Sequence, residues 1–103
     1  MINITIKYLS SGEFHSLTSK GHANSDALGH DLVCAAVSGI LLGGINALKG
    51  KNFTLKSDEI KGIIELTNVG KMDAHDNIVI ETIIAQLTSV SRDNPKFIKV
   101  SIE

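Results

Sequence analysis

The sequence predicts an α+β fold, a two-layer sandwich in the order β-β-α-β-β-α-β, with two helices packed on a mixed or antiparallel five-stranded sheet. Two segments repeat apolar residues at helical spacing, and five shorter segments have the apolar pattern of strands, with turn residues between them. The chain has 103 residues, 43% of them hydrophobic and 4% aromatic. We therefore expect a single domain, residues 1–103, with an aliphatic core.

The first two strands are expected on either side of a short turn. Apolar and polar residues alternate over residues 2–8, which is typical of a half-buried strand. Residues 10–12, Ser-Ser-Gly, then turn the chain. A second, weakly patterned strand is predicted over residues 14–20, and it stops at Gly21 and His22.

A long helix follows, because apolar residues recur at intervals of three and four from residue 33 to residue 48. This stripe consists of Val33, Ala36, Val37, Ile40, Leu41, Gly44, Ile45 and Leu48. Gly50 comes just after the last of them and marks the end of the helix. Gly39, Leu42 and Gly43 flank the stripe and could admit a second subunit, or the glycines could allow close packing of helix on sheet.

A hairpin is predicted next. Phe53 and Leu55 belong to its first arm, residues 57–59 to its turn, and residues 60–67 to its second arm. Because the second arm is apolar on both faces, it is expected to be a central strand.

Asp73 is the predicted N-cap of a second helix that runs to about Ser91. Its inward residues are expected to be Ile80, Ile83, Ile84, Leu87 and Val90. Pro95 ends the following loop, and residues 97–102 alternate as a final strand.

Charge and composition exclude several classes of function. The formal net charge is -1, from 10 basic and 11 acidic side chains, so no general positive field favours direct binding of nucleic acid. The first residues alternate in polarity, unlike a signal peptide, and no segment is long enough to span a membrane. We expect a cytoplasmic protein.

The single cysteine, Cys34, excludes an internal disulfide and a cysteine-rich zinc site. Twelve residues separate it from His22, enough for a strand to end and a helix to return against that end. If the two side chains touch, an imidazolium lowers the pKa of the thiol from its free value of about 8.5 and creates a nucleophile.

Asp31, Cys34 and Ser38 are spaced three and four apart, so they share one face of the helix beside the apolar stripe. This polar face has a purely structural interpretation as well. Asp31 could cap the helix, Cys34 could fill a gap, and Ser38 could bond back to a carbonyl.

Two motifs favour the chemical interpretation. The run Gly21-His22-Ala23, followed by Asp31-Leu32-Val33-Cys34-Ala35-Ala36-Val37-Ser38, closely resembles the ribosomal-processing cysteine protease family, called Prp. The resemblance covers essentially the entire chain, including its length and its order of elements. The loop between the motifs differs in having one glycine, Gly29, and an additional histidine, His30.

This resemblance implies a cysteine endopeptidase that removes a short N-terminal extension, after a phenylalanine, from the twenty-seventh protein of the large ribosomal subunit. It implies His22 as the base and Cys34 as the nucleophile, with Gly21, Asp31 and Ser38 in supporting positions. It also implies a homodimer, with the ribosomal protein precursor as peptide substrate. The reaction requires no cofactor and no metal.

Two features of the site depend on where the helix begins. As N-cap, Asp31 would accept a backbone N–H, whereas further inside it would act through its charge on His22. Only a Cys34 in the first turn would keep its own N–H free to bind the oxyanion, so Cys34 must lie near the helix start, facing His22, if thiolate activation and this donor are both to be available. Ser38 is expected to shape the pocket or to bond the backbone.

Two other functions remain to be weighed. A metal could be held by His22, His30 and Cys34, with His75 or Asp31 as a further ligand, although this spacing matches no compact zinc pattern. His75 is more typical of a surface or capping residue. The chain could also be a non-enzymatic ribosome-associated binding module in which Cys34 is simply buried.

Overall fold

The computed structural model describes residues 1–21, 28–58 and 60–103, and for residues 28–31 it describes the backbone alone. The elements in chain order are β1 (Ile2–Tyr8), β2 (Phe14–Lys20), α1 (Leu28–Ala47), β3 (Phe53–Asp58), β4 (Ile63–Asn68), α2 (Ala74–Asp93) and β5 (Ile98–Ile102). The predicted class and order of elements are confirmed. Within the described part of the chain, no helix is both long enough and apolar enough to cross a bilayer.

The five strands form one mixed sheet in the order β3-β4-β2-β1-β5. Neighbouring strands are antiparallel, except for the parallel pair of β1 and β5. Short turns join the antiparallel hairpins, whereas α1 connects β2 to β3 and α2 connects β4 to β5. Both helices are thus crossover connections, which places strands distant in sequence side by side.

One face of the sheet carries the core. Ile6 of β1 lies opposite Leu17 of β2, and Leu17 lies opposite Leu66 of β4, so the three buried side chains point to the same side. The helices contribute buried residues to this inward face: Val33, Val37 and Leu41 from α1, and Ile80, Ile83 and Leu87 from α2.

The helices leave most of the inward face of β3 uncovered, although Phe53 at the start of the strand packs against the core. Leu55 lies opposite Leu66 and so shares the core-facing side of the sheet, yet it is 51% exposed. The two helices are together narrower than the five-stranded sheet. Neighbouring strands lie about 4.8 Å apart and packed helices about 8–10 Å apart, so two helices cover roughly four strands. Since α2 packs against β5 and α1 packs against α2, the uncovered strand is β3.

The hairpin differs from the prediction at its turn. β3 continues to Asp58 and β4 begins only at Ile63, so Ile60, which was predicted in the strand, lies in the turn and is 92% exposed. The turn is stabilised by the Lys61 N–H, which donates to Asp58 Oδ1 at 3.0 Å, and by Gly62 at a φ of 64°. Turn geometry outweighs the apolar character of Ile60 there.

The N-cap of α2 is confirmed, because the N–H of Asp76 donates to Asp73 Oδ1 at 2.8 Å. The helix continues to Asp93, two residues beyond the predicted end. Its inward residues are as expected, with Ile80, Ile83 and Leu87 buried and Ile84 and Val90 half-buried.

A buried carboxylate ties the end of α1 to the start of α2. Asp76 accepts the N–H groups of Lys49, at 3.0 Å, and Gly50, at 2.7 Å, and His75 Nδ1 lies 2.9 Å from its Oδ1. The Lys49 N–H, with further contributions from His75 and Gly50, lowers the pKa of Asp76 even though burial alone would raise it. This contact therefore favours the charged carboxylate.

Candidate active site

A cleft of about 490 Å³ lies between α1 and the end of the β3–β4 hairpin that carries the turn. Its apolar walls come from both layers of the fold: Ile2, Val37, Leu41, Leu42, Ile63 and Ile64. The cleft exists because α1 leaves β3 uncovered. It is large enough to take a bulky apolar side chain.

Cys34 lines this cleft from α1. The residue is half-buried and packs partly against the core, so it is not the fully buried cysteine of the non-enzymatic interpretation. Ser38, one helical turn further on, is exposed and lines the same cleft. The helical spacing therefore brings Cys34 and Ser38 to one site, as predicted.

Gly21 also lines the cleft, at the end of β2. Its φ is 129°, and a Cβ at this position would overlap the carbonyl oxygen of Met1. Its N–H donates to the carbonyl oxygen of Gly62 at 3.1 Å. Gly21 is thus required by backbone geometry, because a larger residue fits neither the torsion nor the space.

Three residues that the sequence analysis named for a site lie wholly or partly outside the described residues. His22, and His30 of the metal alternative, have no described side chain, and for Asp31 only the helical backbone is described. Because α1 begins at Leu28, Asp31 is within the helix rather than at its N-cap. The role of its carboxylate stays a prediction.

The condition that Cys34 lie in the first turn of the helix is not met. Cys34 is the seventh residue of α1, which begins at Leu28. In a regular α-helix the N–H at that position donates to the fourth preceding carbonyl. The main-chain N–H of Cys34 is therefore not a free donor for an oxyanion.

The sequence predictions did not include the polar residues that the sheet brings to the cleft: Ser19, Ser57 and Asp58. Ser19 carried a detectable signal, because it lies two residues from Leu17 on the inward face of β2, where an apolar residue is expected. Ser57 and Asp58 carried none. Their position depends on the pairing of β3 with β4, which is not encoded locally.

His75 cannot share a metal with Cys34. About 20 Å of helix, at ~1.5 Å per residue, separates Cys34 from Ala47. His75 contacts Asp76, whose carboxylate binds the N–H of Lys49 just beyond that far end of α1.

Asp73, His75 and Asp76 have potential ligand atoms within 4.8 Å of one another. The carboxylate oxygens of Asp73 and Asp76 accept backbone N–H groups. The bond to Asp73 caps α2, and the bonds to Asp76 join the two helices. This arrangement explains the cluster without a metal, and the His75 side chain is 42% exposed, in agreement with the expected surface position rather than a capping one.

A half-buried thiol in an apolar cleft is an arrangement that a cysteine enzyme acting on a peptide could use. A family model described as cysteine protease Prp matches residues 1–99. The chain therefore belongs to the Prp family of ribosomal processing cysteine proteases. It is an enzyme, and the non-enzymatic alternative is wrong.

Individual relatives agree with this assignment. The ribosomal processing cysteine protease Prp of Mycoplasma pneumoniae is 31% identical over 98 residues, which cover 95% of this chain and 91% of that protein. The crystal structure of Prp from S. aureus in complex with a substrate peptide superposes with a TM-score of 0.92 at 22% identity, covering 100% of both chains. A second structure of that protease, with a covalently linked product peptide, has a TM-score of 0.88 at 24% identity. The structural similarity supports the fold, and the family match supports the chemistry.

Proposed function

We propose that residues 1–103 form one protease domain that removes the N-terminal extension of the twenty-seventh protein of the large ribosomal subunit, using a His22–Cys34 dyad. The observation that carries this proposal is that Cys34 and Gly21, the residue covalently joined to His22, line the same cleft. A cysteine protease with a single cysteine also has a single candidate for its nucleophile. The relatives named ribosomal processing proteases support the substrate class.

The chemistry follows from the two side chains. The Cys34 thiolate attacks the scissile carbonyl carbon, and the carbonyl electrons move onto oxygen. The His22 imidazolium gives its proton to the departing amine as the C–N bond breaks, which leaves a thioester on Cys34. Water then attacks the thioester with His22 as base, and this releases the carboxylic acid and restores the thiol. Acylation and deacylation of Cys34 each balance in atoms and protons, and neither requires a cofactor.

The supporting residues act through position. Gly21 provides the positive-φ backbone, open to glycine without strain, that immediately precedes His22. Ser38 and Ser19 present hydroxyl groups to the cleft, and they are the candidate oxyanion donors because the Cys34 N–H is used by the helix. Asp31 lies one turn before Cys34, and its carboxylate orients the imidazole of His22 or favours its protonated form.

The apolar walls suit the expected substrate. Val37, Leu41 and Ile64 line the cleft near Cys34, and they provide the surroundings that a phenylalanine side chain before the cut requires. A bound substrate peptide in the S. aureus protease supports a peptide ligand for this chain as well.

The protease acts as a homodimer in the cytoplasm, where it meets the ribosomal protein precursor. Residues 32–48 contain no charged side chain, and Leu32, Ala35, Gly39 and Gly43 are exposed on α1. An uncharged helix face of this kind is suited to a second copy of the chain. Sedimentation of the purified protein tests the dimer.

Mass spectrometry of the ribosomal protein precursor tests substrate and dyad together. Wild-type protein should release the extension with a cut after phenylalanine, and Cys34→Ala and His22→Ala should each release it at least about 1,000-fold more slowly. His15→Ala is the matched control, because His15 is on β2 and does not line the cleft. Cleavage by Cys34→Ala at the wild-type rate would refute the proposal.

A further inference from the structure

A second cavity, of about 320 Å³, lies between α2 and the β1–β2 turn. Its apolar wall is formed by a pair of residues that face each other across β1 and β2 and by two residues of α2: Tyr8, Phe14, Ile80 and Ile84. Phe14 begins β2, whereas Gly21 follows the end of β2 and lines the cleft that holds Cys34. About 23 Å of strand, at ~3.3 Å per residue, separates Phe14 from Gly21, so this cavity is not part of that cleft.

Two carboxylates from different elements line this second cavity, Glu13 from the turn and Glu81 from α2. Among the described residues, no lysine, arginine or histidine lines it, and neither carboxylate forms an ion pair. The backbone of Glu13 is held in place, because its carbonyl oxygen accepts the N–H of Leu9 at 2.8 Å. The cavity therefore combines an apolar wall with two negative charges that the described residues leave without a cation.

We propose that this cavity is an exosite that binds a lysine or arginine side chain of the ribosomal protein precursor, at a distance from the bond that is cut. The proposal rests on the proposed function. Lysine and arginine combine an apolar stem with a cationic head, which is the chemistry that this cavity complements. The stem packs on Tyr8 and Ile84, and the head binds Glu13 and Glu81 by charge-assisted hydrogen bonds.

The charge of the substrate favours this occupant. A protein of the ribosome contacts the phosphate backbone of RNA, and it does so with lysine and arginine side chains. An extended chain advances roughly 3.3–3.6 Å per residue, so a substrate bound in the cleft needs about seven residues to cover the length of β2. The exosite therefore contacts a part of the precursor that a short peptide around the cut does not contain.

The experiment compares kcat/KM for the whole precursor with kcat/KM for a peptide of about four residues on each side of the cut. At low salt, the Glu13→Gln, Glu81→Gln double variant should lose about five- to tenfold on the precursor through a higher KM, and should stay within about 1.5-fold of wild type on the peptide. The matched control is Glu65→Gln with Asp93→Asn, which also removes one half-buried and one exposed carboxylate. Neither control residue lines the cleft or the second cavity, and the control should cut both substrates like wild type.

Three outcomes would count against the exosite, and they have separate meanings. A Glu13→Gln, Glu81→Gln protein that cuts the precursor as fast as wild type would overturn the exosite and leave the proposed function intact. Wild type that cuts neither the precursor nor the peptide would refute the proposed function and this occupant together. Calorimetry with spermidine tests a free polyamine: binding to wild type but not to the double variant, with equal precursor cleavage by both, would assign the cavity to a small cation and overturn the proposal.

Discussion

The backbone N–H of Gly21 donates to the carbonyl oxygen of Gly62 at 3.1 Å, which joins the residue before His22 to the β3–β4 turn. Both glycines have positive φ, 129° at Gly21 and 64° at Gly62. The strand end that presents His22 is thereby held against the hairpin that forms the far wall of the cleft. In the proposed mechanism, the position of His22 therefore depends on a backbone conformation at Gly21 that only glycine allows.

Gly21→Ala tests this dependence. Alanine at this torsion costs about 1–3 kcal/mol, and its Cβ overlaps the Met1 carbonyl oxygen, so the segment that follows must shift. We expect a loss of about 10- to 100-fold in kcat/KM, measured on protein that remains folded by circular dichroism. Gly12→Ala is the control, since Gly12 has a φ of 90° but no atom within 4 Å of the added Cβ. Equal activity losses in both variants would contradict the account.

Asp76→Asn tests the link between the helices. An amide is neutral and presents one acceptor oxygen where the carboxylate presents two, so both N–H groups lose a charged partner and either that of Lys49 or that of Gly50 loses its acceptor. We expect the free energy of unfolding in urea to fall by about 1.5–3 kcal/mol. Asp93→Asn, at the exposed end of the same helix, should change it by less than about 0.5 kcal/mol. Identical unfolding curves for wild type and Asp76→Asn would refute this role.

The same carboxylate predicts an acid-sensitive contribution to stability. Because the folded state lowers the pKa of Asp76, the stabilisation is fully present above the unfolded-state pKa of about 3.9 and is lost as the pH falls through the lower folded-state pKa. Urea unfolding between pH 6 and pH 2.5 should therefore show a steeper acid loss in wild type than in Asp76→Asn. Parallel pH profiles would show that Asp76 does not contribute.

Adjacent glycines in α1 offer a packing test. A Cβ at Gly44 would overlap the buried side chain of Ile83 on α2, whereas a Cβ at Gly43 meets no atom within 4 Å. Gly43→Ala should stabilise the monomer by up to about 1 kcal/mol through helix propensity. Gly44→Ala should be about 1–3 kcal/mol less stable than Gly43→Ala because the core is overpacked. Thermal unfolding at matched concentration measures the difference.

Local patterns predicted the elements better than the site. The alternation over residues 2–8 and the spacing from Val33 to Leu48 follow which side chains are buried. The first strand and the body of the first helix were therefore predicted correctly. Residues 28–31 carry no such spacing, which is why the sequence left open where the helix starts and how far inside it Cys34 lies. Apolar periodicity indicates which residues face the core, and in this sequence the periodic stripe begins only at Val33.

The composition of the cleft depends on contacts between distant segments. Gly62 and Ser57 reach it because β4 inserts between β2 and β3, and strand order has no signature in a single segment. Ile60 was predicted in a strand because it is apolar like the residues that follow it. It lies in the turn instead, where its side chain is exposed. Cys34, by contrast, was predicted as a site residue from its own motif.

The central claim is that Cys34 carries the acyl group, and intact mass spectrometry tests it most directly. The protein is mixed with a peptide that contains the phenylalanine cut, quenched in acid within the first turnover, and weighed. We predict a species heavier than the free enzyme by the N-terminal fragment minus one water, with the added mass on the Cys34 peptide after digestion. Rapid peptide cleavage with no adduct at any quench time, or an adduct of equal yield in Cys34→Ala, would contradict the account.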